Sequence, residues 1–196
     1  MIYICENILD FDIEMALRAV SAERRERCLR YRFERDRRQS IAAYLLLKHG
    51  LMQEYGIDTA PDFSYNNGGK PHISTHLNIH FNISHCQQGV ACAISRYPIG
   101  IDIEAITEID WDVARHVMNN EQLYTIASSP NPERSFCELW TTKESILKQT
   151  GEGLCDNLPQ LAIDKYSFIR HHGKDYVCTA CYSHPEQHEE FRLVTL

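Results

Sequence analysis

The chain has no long run of apolar residues, and this absence excludes a class of protein. Nowhere in its 196 residues is there the stretch of about 20 apolar residues that a membrane-spanning helix requires. The first residues, Met1 to Glu6, also lack the basic region and apolar segment of a secretory signal. We therefore expect a cytoplasmic protein with no membrane partner.

Several catalytic and nucleotide-binding motifs are absent too. The sequence has no Gly-x-Ser-x-Gly elbow, no His-Glu-x-x-His pair and no dinucleotide fingerprint, so serine hydrolases, zinc peptidases and Rossmann enzymes have no support. Gly68-Gly69-Lys70 is not a Walker loop, because the first glycine and the following Ser or Thr are missing. The formal net charge of −7 argues against nonspecific nucleic-acid binding.

The composition that is present is that of a globular protein, with 43% hydrophobic and 24% charged residues. This length suits one domain or two small halves that share a core. The eight cysteines are scattered among apolar residues, which is typical of buried thiols in a reducing compartment. Cys178, Cys181, His184 and His188 could be drawn as a zinc site, but only two residues separate the two pairs. A zinc finger has a dozen or so residues there, so the spacing argues against zinc. Residues 178–182 also fit the pattern of a strand.

Hydrophobic periodicity predicts an α+β fold. Apolar residues recur at the helical period over 34–55, 112–127 and 132–150. The segment 58–76 is rich in turn-forming residues and predicts a loop with a short strand at 63–65. Consecutive strands are predicted at 78–84, 89–95 and 99–104, and their short links suggest an antiparallel meander. Further strand-like stretches follow at 161–169, 175–182 and 191–196.

Two carboxylates in the third strand form the first candidate site. Asp102 and Glu104 fall on one face, about 7 Å apart along the strand. They repel each other unless a positive charge lies between them. An isolated Asp-x-Glu is more often simply solvated, but Gly100 has no side chain and would leave room for a ligand.

The helix over 132–150 supplies a third carboxylate and a lysine. Glu144 and Lys148 are four residues apart, a spacing at which an ordinary surface ion pair is worth a few tenths of a kcal/mol. Trp140 shares their face, and a glycine-rich exit, 151–154, follows the helix. Mg²⁺ prefers oxygen ligands such as those of Asp102, Glu104 and Glu144, whereas zinc or iron would call for His or Cys.

Basic residues elsewhere suit phosphate. Lys70 and His85 lie in predicted turns and have donors for phosphate oxygens, although a turn histidine is more often an ordinary surface residue. The segment from Glu23 to Arg38 contains eight arginines and four acidic residues. This segment is either a solvated helix face with internal ion pairs, or a dock for phosphates or an acidic protein.

These motifs together resemble the 4′-phosphopantetheinyl transferases of the surfactin-synthetase-activating type. The resemblance runs from about Arg24 to Leu154, in that family's order and spacing. The motifs that carry it are Gly69-Lys70-Pro71, Phe81-Asn82-Ile83-Ser84-His85, Gly100-Ile101-Asp102-Ile103-Glu104, and Trp140-Thr141-Thr142-Lys143-Glu144-Ser145 with Lys148, Gly151, Gly153 and Leu154.

The resemblance implies an architecture and a reaction. The architecture is a monomeric pseudodimer of two similar halves, 1–98 and 99–196, each a helix packed on a small antiparallel sheet, with the active site in the cleft between them. The reaction is the Mg²⁺-dependent transfer of phosphopantetheine from coenzyme A to a serine of an acyl or peptidyl carrier protein. The second product is 3′,5′-adenosine bisphosphate.

The resemblance also implies residue roles. Glu144 and Lys148 would be catalytic, with Glu144 as a hypothetical base. Other implied roles are Mg²⁺ binding by Asp102, Glu104 and Glu144, pyrophosphate contact by Lys148, and coenzyme A binding by Arg24, Arg27, Lys70, Pro71, Ser84 and His85. Glu121 aligns with a further acid, and the residues after Leu154 carry no motif of the family. Two alternatives remain: an idle module that binds coenzyme A or a carrier protein, and a Mg²⁺-dependent enzyme acting on another nucleotide.

Overall fold

A computed structural model describes residues 1–6, 8, 10–66, 69–151, 158–184 and 189–196, and all structural statements below concern these residues. The helices are α1 (Ile13–Ala19), α2 (Ala22–Leu29), α3 (Glu34–Tyr55), α4 (Trp111–Val117), α5 (Asn120–Ala127) and α6 (Pro132–Thr150). The strands are β1 (Ile2–Cys5), β2 (Phe63–Tyr65), β3 (Pro71–Ile73), β4 (His80–His85), β5 (Val90–Ser95), β6 (Ile99–Ala105), β7 (Ser167–His172), β8 (Tyr176–Tyr182) and β9 (Phe191–Leu193). Short 3₁₀ turns lie at Leu158–Gln160 and Ile163–Lys165.

The long helix α3 covers a four-stranded sheet of order β4-β5-β1-β9. Buried Leu46 and Leu47 of α3 join a core with Tyr3, Phe81 and Ile94 of the sheet. The chain leaves α3 through Gly56, whose φ of 67° is the left-handed conformation that glycine favours at a helix end. A separate hairpin of β2 and β3 follows.

The second layer pairs α6 with a three-stranded antiparallel sheet of order β6-β8-β7. Helix α6 begins after Asn131, whose side chain accepts a hydrogen bond from the Arg134 amide, and Pro132 occupies the first turn. It ends at Gly151, which has a φ of 76°. Isoleucines of β6 pack with residues of β1, β5 and β8 in a core that lies between the two sheets.

Several sequence predictions are confirmed. The fold is α+β, the helices over 34–55 and 132–150 have the predicted bounds, and a short strand lies at Phe63–Tyr65. The helical stretch over 112–127 is instead two helices. Asn119 separates them because its side chain and that of Gln122 form a capping box at the start of α5. The stretch 161–169 contains one 3₁₀ turn, Ile163–Lys165, and only its last three residues belong to a strand, since β7 begins at Ser167.

Two predictions about strand pairing were wrong. The three consecutive strands do not form one meander: β4 and β5 pair, but β6 crosses to the other sheet and pairs with β8. The open edge of β5 is taken by β1 instead. The last strand, β9, lies parallel to β1, so the first sheet is mixed rather than purely antiparallel.

The structure also bears on the membrane-spanning helix and on the candidate zinc residues. No helix among the described residues is both long and apolar enough to cross a bilayer. Cys178 and Cys181 are buried in β8, and His188 of the same candidate zinc group lies outside the described residues.

Candidate active site

The predicted site residues of β4, β6 and α6 meet where the two sheets face each other. The Asn82 side chain accepts a hydrogen bond from the Ile101 amide (2.9 Å), which joins β4 to β6 across the sheets. Ser84 donates to Asp102 Oδ1 (2.9 Å). Lys148 Nζ contacts both, at 2.9 Å from Ser84 Oγ and 2.5 Å from Asp102 Oδ1. Three predicted residues from three elements thus form one hydrogen-bonded group.

Asp102 has one oxygen without a protein partner. The residue is 1% exposed, and Lys148 and Ser84 both bind Oδ1. Its Oδ2 is buried and has no hydrogen-bond partner in the described residues. A buried carboxylate oxygen without a partner is costly. A cation bound at Oδ2 would remove this cost, so this oxygen is a candidate metal ligand.

Glu104 and Glu144 belong to the same charged group. Desolvation, followed by the charge of Asp102, raises the pKa of Glu104 to about 7, against the opposing effect of Lys148. Desolvation and Asp102 likewise raise the pKa of Glu144. The buried Asp102 and the half-buried Glu104 and Glu144 therefore repel one another. A bound divalent cation would favour the ionised form of all three.

The carboxylates do not form a closed coordination shell on their own. Among the described residues, no three His, Cys, Asp or Glu side chains are grouped closely enough to hold a metal ion. The ammonium of Lys148 lies beside Asp102 instead. The site thus brings a lysine and three carboxylates into mutual electrostatic contact, which suits a phosphate and a cation bound together.

The expectation that Gly100 leaves room for a ligand was wrong. A Cβ atom on Gly100 would lie 1.9 Å from the Ser145 carbonyl oxygen and 2.4 Å from the Gln149 amide nitrogen. The space is filled by the backbone of α6. Gly100 therefore allows α6 to approach β6 closely, and this approach places Glu144 and Lys148 beside Asp102.

An open cavity of about 310 Å³ adjoins this group. Its walls come from α2, the first half of α3, the β2–β3 hairpin and β4, and the lining includes Arg24, Arg27, Tyr31, Pro71 and His85. Apolar lining is supplied by Tyr44, Leu47, Phe63 and Phe81. The cavity thus combines aromatic walls with two guanidinium groups, as a binding site for a nucleotide would.

The two arginines of the cavity are held differently. Arg24 donates to the Ser40 carbonyl (2.6 Å) and lies over the Tyr44 ring at 5.1 Å. Its Nε is buried and has no hydrogen-bond partner in the described residues. Arg27 is exposed and donates to the Tyr65 hydroxyl at 2.7 Å. Arg24 therefore has one buried donor that no described residue uses, and its role in binding coenzyme A stays a prediction.

His85 lines the cavity, whereas Lys70 contacts the end of α6. His85 lines the cavity next to Ser84, and desolvation and the charge of Lys148 lower the pKa of its imidazole. Lys70 donates to the Gln149 carbonyl at the end of α6 (2.8 Å), and desolvation lowers its pKa. Glu121 is exposed in the first turn of α5. Gly153 and Leu154 of the family motif lie outside the described residues.

Sequence reasoning missed one residue that supports the site. Lys143 is fully buried, and its Nζ donates to the carbonyls of Val117 (2.8 Å) and Leu158 (2.6 Å). Desolvation lowers its pKa to about 8. Lys143 directly precedes Glu144, and its two hydrogen bonds connect α6 to the end of α4 and to the segment at Leu158. The available signal was the helical period, which places Lys143 on the buried side with Ile146.

Comparison with known proteins agrees with this geometry. Residues 98–193 match the 4′-phosphopantetheinyl transferase superfamily, and residues 9–96 match the family "4′-phosphopantetheinyl transferase, N-terminal". A 4′-phosphopantetheinyl transferase of Bacillus subtilis is 31% identical over 86% of this chain and 84% of its own. The transferase gsp of Aneurinibacillus migulanus is 39% identical over 74% of this chain and 62% of its own. The transferase Sfp of Bacillus subtilis strain 168 is 28% identical over 99% and 96%.

The chain therefore belongs to the 4′-phosphopantetheinyl transferase superfamily. It is an enzyme of this class and of the Sfp type, which confirms the resemblance read from the motifs.

Proposed function

We propose that this enzyme transfers the phosphopantetheine arm of coenzyme A to a serine of an acyl or peptidyl carrier protein, in a Mg²⁺-dependent reaction that releases 3′,5′-adenosine bisphosphate. One observation carries the proposal. The buried Asp102 has a free oxygen on one side and Lys148 on the other, and the charge of Lys148 also acts on His85, which lines a nucleotide-sized cavity. A cation and a phosphate chain satisfy both groups at once.

The cavity supports coenzyme A as the donor substrate. Arg24, with its buried Nε, and Arg27 suit the 3′-phosphate, because a guanidinium binds phosphate through paired donors. The aromatic walls suit the adenine ring. Pro71 and His85 border the same space, and Ser84, the neighbour of His85 in β4, contacts Lys148 on the other face of the strand. Lys70, whose Nζ contacts the Gln149 carbonyl at the end of α6, would supply a further positive charge for the pyrophosphate.

Asp102, Glu104 and Glu144 are the residues that would hold Mg²⁺. When bound there, the ion would neutralise charge on the pyrophosphate oxygens. The fit rests on the free Oδ2 of Asp102 and on the raised pKa values of the two glutamates, which show that desolvation and carboxylate repulsion outweigh the charge of Lys148.

The chain's own residues account for the chemistry. The serine oxygen of the carrier protein forms a bond to the phosphorus that bears pantetheine, and the bond from that phosphorus to the bridging oxygen breaks. Lys148 donates a hydrogen bond to the pyrophosphate and stabilises charge that develops on it. Glu144, with a pKa raised by desolvation, accepts the serine proton. His85 adds a donor at the cavity end.

The proposal includes the pseudodimer and its cleft. A helix packed on a sheet occurs twice, as α3 on the first sheet and α6 on the second, with β9 crossing from 99–196 to join the first sheet. The site draws Ser84 from one half and Asp102 and Lys148 from the other. The two family matches meet near the same boundary. The monomeric state and cytoplasmic location expected from the sequence belong to this proposal.

The decisive experiment is the intact mass of an apo carrier protein after incubation with the enzyme, coenzyme A and Mg²⁺. We expect a gain of one phosphopantetheine arm, which Glu144→Ala prevents. No gain on several carrier proteins, together with measurable coenzyme A binding, would favour an idle binding module. Stronger competition by ATP than by coenzyme A would indicate another nucleotide substrate.

A further inference from the structure

The link between α2 and α3 exposes an unusual set of side chains. Leu29, Tyr31 and Phe33 are 50%, 40% and 61% exposed. Arg30 and Arg32 alternate with them, and Arg35 follows in the first turn of α3. We call residues 29–35 the α2–α3 patch. Three large apolar side chains exposed within seven residues indicate a surface that another molecule covers.

The charge of the patch contrasts with that of the chain. It has three arginines and one glutamate, for a net charge of +2 in a protein of −7. Arg30 pairs with Glu26, and Arg32 lies over the Phe33 ring at 5.4 Å. Arg35 is exposed and forms no hydrogen bond or ion pair with the described residues. The patch therefore offers positive charge together with apolar area.

The structure separates two uses of the arginine-rich segment that the sequence left open. Arg24 and Arg27 line the cavity, whereas Arg30, Arg32 and Arg35 do not. Arg24 is also tied inward, to Ser40 and Tyr44. The phosphate-binding arginines and the arginines of the patch are thus different residues.

The patch lies at the rim of the cavity. Tyr31 is both part of the patch and part of the cavity lining, and Asp36, one residue after the patch, lines the same cavity as His85. The neighbour of His85, Ser84, contacts Lys148 and Asp102. A protein seated on the patch would therefore rest at the rim of the cavity that His85 of β4 also lines.

We propose that the α2–α3 patch docks the carrier protein, through a surface of that partner that combines acidic and apolar side chains. The proposal rests on the proposed function, because the occupant must bring a serine to this cavity. Charge complementarity distinguishes the patch from α4, which also exposes Trp111 and Val113 but has Asp110 and Asp112 beside them. Arg115 pairs with Asp112 but leaves residues 110–116 with a net charge of −1, so an acidic partner is favoured at the first surface.

Two variants test the patch by different interactions. Arg32→Glu with Arg35→Glu reverses its charge, and Phe33→Ser removes an apolar contact. Phe33 is the N-cap residue of α3 and its side chain makes no cap hydrogen bond. Serine is a favoured N-cap, so we expect Phe33→Ser to keep α3 at least as stable, and urea unfolding of the variant checks that a loss of docking does not reflect unfolding. The matched charge control is Lys165→Glu with Lys174→Glu, two exposed lysines outside the site.

We expect the charge reversal to raise the KM for the carrier protein about 10-fold or more, with kcat and the Kd for coenzyme A changed less than about twofold. Phe33→Ser is expected to act in the same direction. Added salt should raise the KM of the unmodified enzyme more than that of the charge-reversed variant.

Defined outcomes would overturn the proposal. An equal rise in KM for the lysine control would show an effect of net charge alone. A weaker affinity of the patch variants for coenzyme A would show that the patch binds coenzyme A instead. A KM raised by Trp111→Ser and not by the patch variants would place docking at α4. If the unmodified enzyme transfers nothing, the proposed function fails, and binding of a carrier whose serine is changed to alanine still tests the patch.

Discussion

The close approach of α6 to β6 makes Gly100→Ala the most informative substitution in the chain. The added Cβ would lie 1.9 Å from the Ser145 oxygen, where ordinary contact begins at 3.4 Å. Helix α6 and β6 must therefore separate by about 1.5 Å, the difference of these two distances. The atoms in the way belong to the backbone, so a change of side-chain rotamer cannot relieve the clash.

The expected effects are on stability and on catalysis. Overpacking of this kind costs about 1–3 kcal/mol, and more where the backbone must move. Glu144 and Lys148 each precede one of the two clashing residues, so they move with the helix away from Asp102. A displacement of about 1 Å in a catalytic group can reduce the rate about 100-fold.

The assay combines urea unfolding with steady-state transfer at several Mg²⁺ concentrations. Gly50→Ala is the matched control, because its Cβ would lie 2.3 Å from Ile94 Cδ1 and 2.9 Å from Tyr3 Cε2, both side-chain atoms of the first core. We expect Gly50→Ala to lose stability and keep kcat at temperatures where it is folded. Unchanged kcat in folded Gly100→Ala would refute the argument that the approach of α6 positions the site.

Three further substitutions test the charges. Asp102→Ala should lower activity and raise the Mg²⁺ concentration needed for half-maximal transfer; a loss that excess metal does not partly restore would contradict a metal role. The pKa of Glu104 is raised to about 7, so it binds a proton more tightly when folded, and the metal-free enzyme should lose stability as pH rises from about 5 to 8. Thermal unfolding should show this slope, and Glu104→Gln or added Mg²⁺ should reduce it. Lys143→Met leaves two buried carbonyls without donors, and each should lower the free energy of unfolding by about 1–3 kcal/mol. Removal of the buried ammonium offsets part of this loss, because the lysine no longer has to be desolvated. Urea unfolding should show this loss, whereas the exposed Lys165→Met should cost little.

Sequence alone predicted the elements whose signals are local. Helices α3 and α6 have a regular apolar period and glycine stops, and their bounds are as predicted. The acids of β6 and the Glu144–Lys148 pair stood out because residue type and spacing together suggest chemistry. The structure brings both groups to one place through contacts between β6 and α6.

The features that the sequence did not predict depend on contacts distant in the chain. The short link from β5 to β6 is as suitable for a crossover as for a hairpin, so strand pairing could not be read from loop length. The roles of Gly100 and Lys143 likewise depend on what lies opposite them, namely the backbone of α6 and two carbonyls far along the chain.

The parallel pairing of β9 with β1 has a consequence for synthesis on the ribosome. Ile2 pairs with Phe191, 189 positions later, and the Val194 amide donates to the Ile4 carbonyl at 2.8 Å. While the chain is being made, β1 can pair with β5 early, but its other edge stays open until β9 is translated. An open strand edge is a site for pairing with other chains. The first sheet therefore completes only after the second has been synthesised, and loss of β9 should promote aggregation of the nascent protein.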